Sequence, residues 1–438
     1  MCGFTVTKEK IKNILIHRGI KENSLKANKW QFCFNSLPLS SNGTNIEMPL
    51  KVGSNILVFN GEIFNYKKLD RKAKSDVHYL NNLLIKVKGD IYNFYKESLK
   101  WDGFWSIAIC KYKGDLFFFT DPLGKKQLYF SKNGISSEIK PLLINDQIDY
   151  HPYDEKKFGT HNTNFGKINR AIPGNLYQYS YDLERPFLTD RLDYLYTPQH
   201  FDLYETIKQS VEDRMENRYD GISLLLSGGL DSNIILYHLL KYTKDIDIVS
   251  FENNEKEEVE KISEFYGIDI RYIKDSYNDH DVLDAVNSYE CSLDYGSLIP
   301  NYILFRECKN SLVLTGDGSD ELFSGYSRSL KNDTWNYDVL KELPYYHNIR
   351  IDRMSMRFTK EARSPLMSFP LMRLSRLIPY SKRKNKKVLR DLYEGYLPDF
   401  VINGKKKPLR LKQDKEFNKN LIEKTHKNIW QGQRKKLK

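Results

Sequence analysis

Leu224-Leu225-Leu226-Ser227-Gly228-Gly229-Leu230-Asp231-Ser232 is the stretch on which the reading of the fold turns. The leucines close an apolar run over 222–226 that suits a buried strand, two glycines allow a tight turn, and a helical pattern begins near Asn233. Strand, glycine turn and helix make up half of a parallel βαβ unit. The turn has neither the Gly-Lys-Ser/Thr ending of a Walker A box nor the three-glycine spacing of a dinucleotide fingerprint. It does offer backbone N–H groups that close on an anion, backed by the positive end of a helix. Ser227 and Ser232 add hydroxyl donors, and Asp231 adds a carboxylate suited to Mg2+.

The same rhythm continues on both sides. An amphipathic helix over 201–217 precedes the loop, and a strand over 246–251, a helix over 255–266 and a strand over 271–273 follow it. This alternation predicts an α/β domain with a parallel sheet over 200–438, turning mostly helical after Tyr326. The first part of the chain reads differently. Short apolar runs at 56–59, 105–112, 116–120, 128–130 and 176–179 are separated by Asn-Gly, Lys-Gly-Asp and Pro-Gly turns. With helical segments at 8–17 and 77–87, they predict an α+β domain of layered antiparallel sheets over 1–190. The polar stretch 181–199 reads as the linker.

A chain of 438 residues leaves room for two or three domains, and 40% apolar with 29% charged residues is ordinary for a globular protein. No run of about 18 uncharged apolar residues is present, and the start lacks the basic and apolar regions of a signal peptide. Cys2, Cys33, Cys110, Cys291 and Cys308 are odd in number and scattered, with no CxxC pair. That argues against a disulfide framework or zinc site and for a reducing compartment, taken to be the cytoplasm. The net charge of +12 is spread along the chain among 57 acidic residues, so the basic clusters at 382–387, 405–407 and 434–438 read as solvated surface. No nucleic-acid motif appears; phosphate-bearing small molecules are the expected partners, with no nucleic acid and no membrane. Oligomeric state is not legible, and a homodimer stays open.

Cys2 stands apart by position. Removal of Met1 would leave it N-terminal, with an α-amino group of pKa about 7.7–8.0 to take the thiol proton. Further blocks follow in order: Phe59-Asn60-Gly61-Glu62-Ile63-Phe64-Asn65, then Ser75-Asp76, then Asp121-Pro122-Leu123-Gly124 ahead of Leu128-Tyr129. Together with Met-Cys-Gly, they make residues 1 to about 179 resemble the class II glutamine amidotransferases, which are N-terminal nucleophile glutaminases. The resemblance implies that Cys2 attacks glutamine and that Asn60 and the Gly61 N–H stabilise the oxyanion. It also implies that Glu62 and Asp76 bind the substrate, Asp76 through its α-ammonium. Taken singly, Asn60-Gly61 would read as a hairpin turn and Ser75 or Asp76 as a helix cap. Two segments depart from the family: Arg18-Gly19-Ile20-Lys21 replaces Arg-Gly-Pro-Asp, and Ser36 stands where an arginine usually grips the glutamine carboxylate. Arg18 is the first candidate to replace that grip.

In the second half, the loop at 226–232 resembles the pyrophosphate loop of ATP pyrophosphatases, which implies an adenine nucleotide α-hydrolase-like fold. Thr315-Gly316-Asp317-Gly318-Ser319-Asp320-Glu321 places three acidic residues among glycines after a strand. This block, Glu361-Ala362-Arg363-Ser364-Pro365-Leu366, and Lys386-Lys387-Val388-Leu389-Arg390 make the chain resemble the asparagine synthetase family, with β-lactam synthetases as kin. The implied site comprises Leu226, Ser227, Gly228, Gly229, Leu230, Asp231, Ser232, Thr315 and Gly316 around ATP, with Mg2+ on Asp231 and Asp320. Asp317 and Lys386 would be catalytic. Asp317 stands where Glu is frequent, and Ser368 where Asp is usual.

The implied activity is that of a carbon–nitrogen ligase of asparagine biosynthesis. Glutamine or ammonia, aspartate and ATP yield asparagine, glutamate, AMP and pyrophosphate through a β-aspartyl-AMP. A different carboxylate acceptor, or an ATP-binding regulatory homologue without activity, are the alternatives.

Overall fold

In the computed structural model, the described residues are 2–37, 47–143, 158–180, 186–195, 202–216, 220–291 and 296–404, with isolated positions at 151, 156, 424, 425 and 428. The basic clusters at 405–407 and 434–438 lie outside the described residues.

The first part builds two antiparallel sheets. One contains β1 (Gly3–Thr7), β2 (Lys21–Ala27), β3 (Trp30–Ser36), β8 (Tyr129–Ser131), β9 (Gly134–Ser136) and β10 (Asn169–Arg170), in the order β10-β8-β9-β1-β3-β2. The other contains β4 (Leu50–Val52), β5 (Asn55–Ile63), β6 (Gly103–Cys110), β7 (Leu116–Thr120), β11 (Asn175–Tyr179) and β12 (Phe187–Arg191), in the order β12-β11-β7-β6-β5-β4. The alternation of β1 is lost because both of its faces are buried, so every residue from Gly3 to Thr7 is inside. Of the expected Asn-Gly turns, the one at 133–134 falls at the β8–β9 hairpin, where Lys132-Asn133 is the connection and Gly134 opens β9, but Asn60-Gly61 lies within β5, with Gly61 paired to Trp105. A Cβ on Gly61 would lie 2.0 Å from the Phe104 carbonyl oxygen, so this glycine serves close strand approach.

Two further expectations are corrected. Residues 8–17 form no α-helix; only Ile16–Arg18 coils, as a short 3-10 turn. The Asn13 side chain accepts the Leu15 N–H at 3.0 Å, a local bond that competes with the helical ladder. Within the expected linker, β12 folds onto β11 as an edge strand.

The second part is α/β. A five-stranded sheet of β13 (Ile222–Leu225), β14 (Asp247–Phe251), β15 (Arg271–Ile273), β16 (Leu312–Leu314) and β17 (Glu361–Arg363) is parallel throughout, in the order β15-β14-β13-β16-β17. Its loop helix, Leu230–Leu239, begins at Leu230 rather than Asn233. Beyond Tyr326 helices prevail, as expected, except that β17 adds an edge too short for periodicity to reveal.

The two parts share one core: a single apolar cluster extends from Phe4 and Trp105 to Leu224 and Phe369, and the Trp105 and Phe369 rings meet at 5.4 Å. Asp102 of the first part accepts the Phe369 N–H at 3.0 Å, at the start of the helix Phe369–Leu377, and pairs with Arg214. No helix among the described residues is long and apolar enough to cross a membrane.

Candidate active site

Two clusters of candidate functional side chains form, one in each part. The first assembles at the start of β1. The Cys2 backbone nitrogen donates to Asn60 Oδ1 at 3.1 Å, and Asn60 Nδ2 donates weakly to Ser106 Oγ at 3.4 Å. Glu62 follows on β5. Ser75 takes the helix-capping role, accepting the His78 N–H at 3.1 Å, and this frees the next residue for other work. Asp76 Oδ2 accepts the Ile63 N–H at 3.2 Å and Oδ1 the Val77 N–H at 2.7 Å, which ties the helix Asp76–Lys86 to the end of β5.

Burial sets the electrostatics of this cluster. It raises the Cys2 thiol, while the nearby amino terminus and the Leu37 N–H pull it down. It also raises Asp76 to about 6 against the two backbone donors. Glu62 is raised well above the carboxylate range by burial, then by Asp76 and Glu361, with Arg363 opposing. A thiol, an amide and two carboxylates that resist double ionisation thus face one another.

Arg18 is not free to grip a substrate carboxylate. Its Nε donates to the Cys2 carbonyl at 3.2 Å, Nη1 to Glu138 at 2.9 Å, and Nη2 to both oxygens of Asp352 at 3.0 Å. Ser36 ends β3 opposite Lys21, so no arginine sits at that position.

The second cluster assembles at the C-terminal ends of β13 and β16, where ligands of open parallel sheets bind. The Ser227 N–H donates to Ser232 Oγ at 3.1 Å, the Gly229 N–H to Ser227 Oγ at 3.2 Å, and Asn233 Nδ2 to the Gly229 carbonyl at 2.7 Å. These bonds hold the loop as a cradle at the N-terminus of Leu230–Leu239. Gly316 packs onto it: a Cβ there would lie 3.1 Å from Ser232 N. Lys386 Nζ reaches Asp231 Oδ2 at 2.5 Å and Asp320 Oδ1 at 2.7 Å. Burial disfavours its charge, but the two carboxylates more than restore it and hold the ammonium above the usual lysine range. Asp317 is half-buried and makes no hydrogen bond among the described residues.

No cluster of three or more metal-ligating side chains occurs among the described residues. Asp231 and Asp320 nevertheless fit Mg2+, which takes one or two carboxylates and completes its shell with phosphate oxygens and water. Asp231 Oδ1 is a buried acceptor without a hydrogen-bond partner, and the cation now between the two carboxylates is Lys386.

The asparagine synthase family profile matches residues 202–344 and 337–437, and the glutamine amidotransferase domain profile matches 5–180. The chain belongs to the asparagine synthase family. A probable glutamine-hydrolysing asparagine synthetase of Acanthamoeba polyphaga mimivirus is 25% identical over 404 residues, 80% of this chain and 70% of that protein. A putative asparagine synthetase of Methanocaldococcus jannaschii is 25% identical over 329 residues, 66% of this chain and 62% of that protein. Asparagine synthetase 1 of Bacillus subtilis is 26% identical over 307 residues, covering 62% of this chain and 48% of its own length.

Within this two-domain family architecture, sequence reasoning matched the blocks at 121–124 and 361–366 to the family but gave their residues no role. Arg363 of β17 places Nη2 3.9 Å from Glu62 Oε1, and its carbonyl accepts the Thr315 N–H at 3.0 Å. The Glu361 carboxylate accepts Arg363 Nε at 2.6 Å, fixing the guanidinium. Asp121, of the Asp-Pro-Leu-Gly block, accepts the backbone N–H groups of Leu123, Lys125, Lys126 and Trp105, so it shapes a loop rather than touching either cluster.

Proposed function

We propose that this chain is a glutamine-hydrolysing asparagine synthetase. The observation that carries the reading is the double duty of Arg363, whose side chain borders the Cys2 cluster and whose carbonyl anchors Thr315 of the phosphate-loop cluster. Two sites so joined suit one nitrogen passed between two reactions, because ammonia released to water becomes mostly ammonium, which is not a nucleophile.

In the first reaction, with Met1 removed, the Cys2 nitrogen on Asn60 becomes the α-amino base and accepts the thiol proton. Sγ attacks the glutamine amide carbon, and the oxyanion is met by Asn60 Nδ2 and the Gly61 N–H, donors of a kind each worth roughly 10²–10³ in rate. Ammonia leaves, and water hydrolyses the thioester to glutamate and the free thiol. Asp76 and Glu62 receive the α-ammonium. Ser36 offers the α-carboxylate one neutral donor in place of a guanidinium.

In the second, the β-carboxylate of aspartate attacks the α-phosphorus of ATP, and pyrophosphate departs into the loop Leu226–Ser232, with Thr315 and Gly316 alongside. Mg2+ held by Asp231 and Asp320 would neutralise phosphate charge. Lys386 moves from these carboxylates to the departing phosphates. Ammonia then attacks the acyl carbon, its proton directed toward Asp317, and AMP leaves with asparagine formed.

The test is pyrophosphate release from ATP and Mg2+ with aspartate, using glutamine or ammonium as nitrogen source. Cys2→Ala is expected to abolish the glutamine-driven reaction and keep the ammonium-driven one. Asp231→Asn is expected to suppress both while glutamine hydrolysis survives. Equal loss of both nitrogen sources in folded Cys2→Ala would end the two-site reading, and release with another carboxylic acid but not aspartate would reassign the acceptor.

A further inference from the structure

Arg18 makes a connection that the reaction scheme above does not use. Its guanidinium is fully buried, with Nε on the carbonyl of Cys2 itself and both Nη groups on Asp352. The side chain lies flat across the nucleophile's strand: a Cβ on Gly3 would sit 2.6 Å from Arg18 Cδ, so the glycine after Cys2 makes room for it. Asp352 lies on the helix Asn348–Arg357 of the second part, 334 positions along the chain from Arg18.

Asp352 is itself fixed. Lys126 Nζ donates to its Oδ1 at 2.5 Å, and Arg353 Nη1 reaches Oδ2 at 3.4 Å. Burial works against its charge, yet Arg18, Lys126 and Arg353 hold the carboxyl well below its ordinary range. Arg353 also reaches Glu290 at 3.2 Å, and Glu290 accepts the Ile139 and Lys140 N–H groups across the boundary at 2.7 and 2.8 Å. The partner of the Cys2 carbonyl is thus positioned by a buried network of charges that joins Glu138 and Lys126 of its own domain to Asp352, Arg353 and Glu290 of the other.

We propose that Asp352, in the synthetase domain, is a positioning residue for the Cys2 nucleophile: through Arg18 it fixes the Cys2 carbonyl, and with it the direction of the α-nitrogen and the thiol. The proposal rests on the reading of Cys2 as nucleophile. It makes glutamine hydrolysis depend on a residue of the domain that does not bind glutamine. A bidentate arginine–carboxylate pair restricts rotation as well as position, and misplacing a reacting group by about 1 Å costs up to about 100-fold in rate.

The experiment uses the full chain with Asp352→Asn, Arg18→Lys and Cys2→Ala. Glutamine kcat and KM are measured together with the rate of Cys2 alkylation by iodoacetamide, followed by mass spectrometry of the Cys2 peptide, and ammonium-driven pyrophosphate release. For Asp352→Asn, kcat for glutamine is expected to fall about 10–100-fold with KM nearly unchanged. Cys2 alkylation should slow in parallel, and ammonium-driven release should stay within about twofold of wild type. Arg18→Lys keeps a cation against Asp352 but loses the planar fork, and is expected to show the same split; it carries the test should Asp352→Asn fail to fold. A wild-type kcat and alkylation rate in either folded variant overturns the proposal, and so does an equal fall in glutamine and ammonium reactions. Wild-type glutamine hydrolysis by Cys2→Ala would instead remove the nucleophile assignment on which the proposal stands.

Discussion

Asp76 combines a structural demand with the binding role proposed for it. Its two backbone bonds tie a helix to β5, while burial pushes its carboxyl up to about 6. A carboxyl so raised is neutral below that pH and charged above it, and only the charged form pairs with an α-ammonium. The kcat/KM for glutamine hydrolysis is therefore expected to rise with pH through about 6, the free-enzyme value that this ratio reports. Asp76→Asn should lower kcat/KM and flatten that limb; an unchanged limb in the variant would assign it to another group. At Ser36 the expectation concerns the other end of glutamine. Because Arg18 is committed to Cys2 and Asp352, it has not taken over from the missing arginine. Ser36→Arg is expected to lower KM for glutamine hydrolysis by roughly 10–100-fold, the worth of one charge-assisted bond. A higher KM would mean that the strand end cannot direct the new side chain inward. Sequence motifs named, through the family resemblance they carry, the residues that the structure gathers into the two clusters. Arg18 was legible as a cation but not as a partner of Asp352, because nothing local records a contact between positions 334 apart.

At the scale of elements, local signals were reliable where one interaction decides and misleading where tertiary contact overrides. The helix 77–87 and the strands at 116–120 and 271–273 fall within a residue of their expected bounds, because periodicity and flanking turns agree there. Asn60-Gly61 has the composition of a hairpin turn, yet β5 runs through it, because β6 passes too close for a side chain. Gly103 makes the reciprocal approach: a Cβ there would lie 2.0 Å from the Glu62 carbonyl oxygen. These paired glycines keep the strands in contact at the point where Asn60 and Glu62 are displayed. Gly61→Ala must therefore shift the strands, and it is expected to destabilise the protein by about 1–3 kcal/mol or more and to abolish glutamine hydrolysis. Denaturant titration and the glutaminase assay together check this. A variant of wild-type stability with intact hydrolysis would mean that the strands have more room than their register implies. The segment 8–17 failed as a helix for the opposite reason, since Asn13 satisfies the backbone locally and Arg18 must reach the domain boundary.

At the scale of the whole molecule, the boundary between the parts is polar as well as apolar, and Lys125 occupies it most directly. Its Nζ donates to the Met367 carbonyl at 2.7 Å and lies 3.3 Å from the Gly103 carbonyl, one from each part, with the Phe369 ring 5.0 Å beneath. Among the described residues no carboxylate lies within ion-pair distance of it. Burial first, then the positive charges of Arg214 and Lys126, lower its pKa to about 7, while Asp121 and Asp102 act in the other direction. A lysine lowered from 10.5 to about 7 is neutral in the folded chain and charged in the unfolded chain between those values. The unfolded state then binds more protons, so this residue's contribution to stability rises with pH from about 7 toward 10.5 and is least favourable below that window. Lys125→Met has no such dependence. The stability of wild type relative to Lys125→Met should therefore be lowest at pH 6 and increase steadily as pH is raised to 9.5, read as the difference between their denaturant midpoints at each pH. Other titrating groups are common to both proteins and cancel in that difference, provided the substitution leaves their surroundings unchanged. Curves that run parallel across the range would show that Lys125 keeps its proton in the folded chain, held by the two carbonyls and by solvent reaching the boundary. A relative stability that falls with rising pH would mean that its folded pKa lies above the unfolded one. The domain contact would then be fastened by the ammonium and would loosen as the proton leaves.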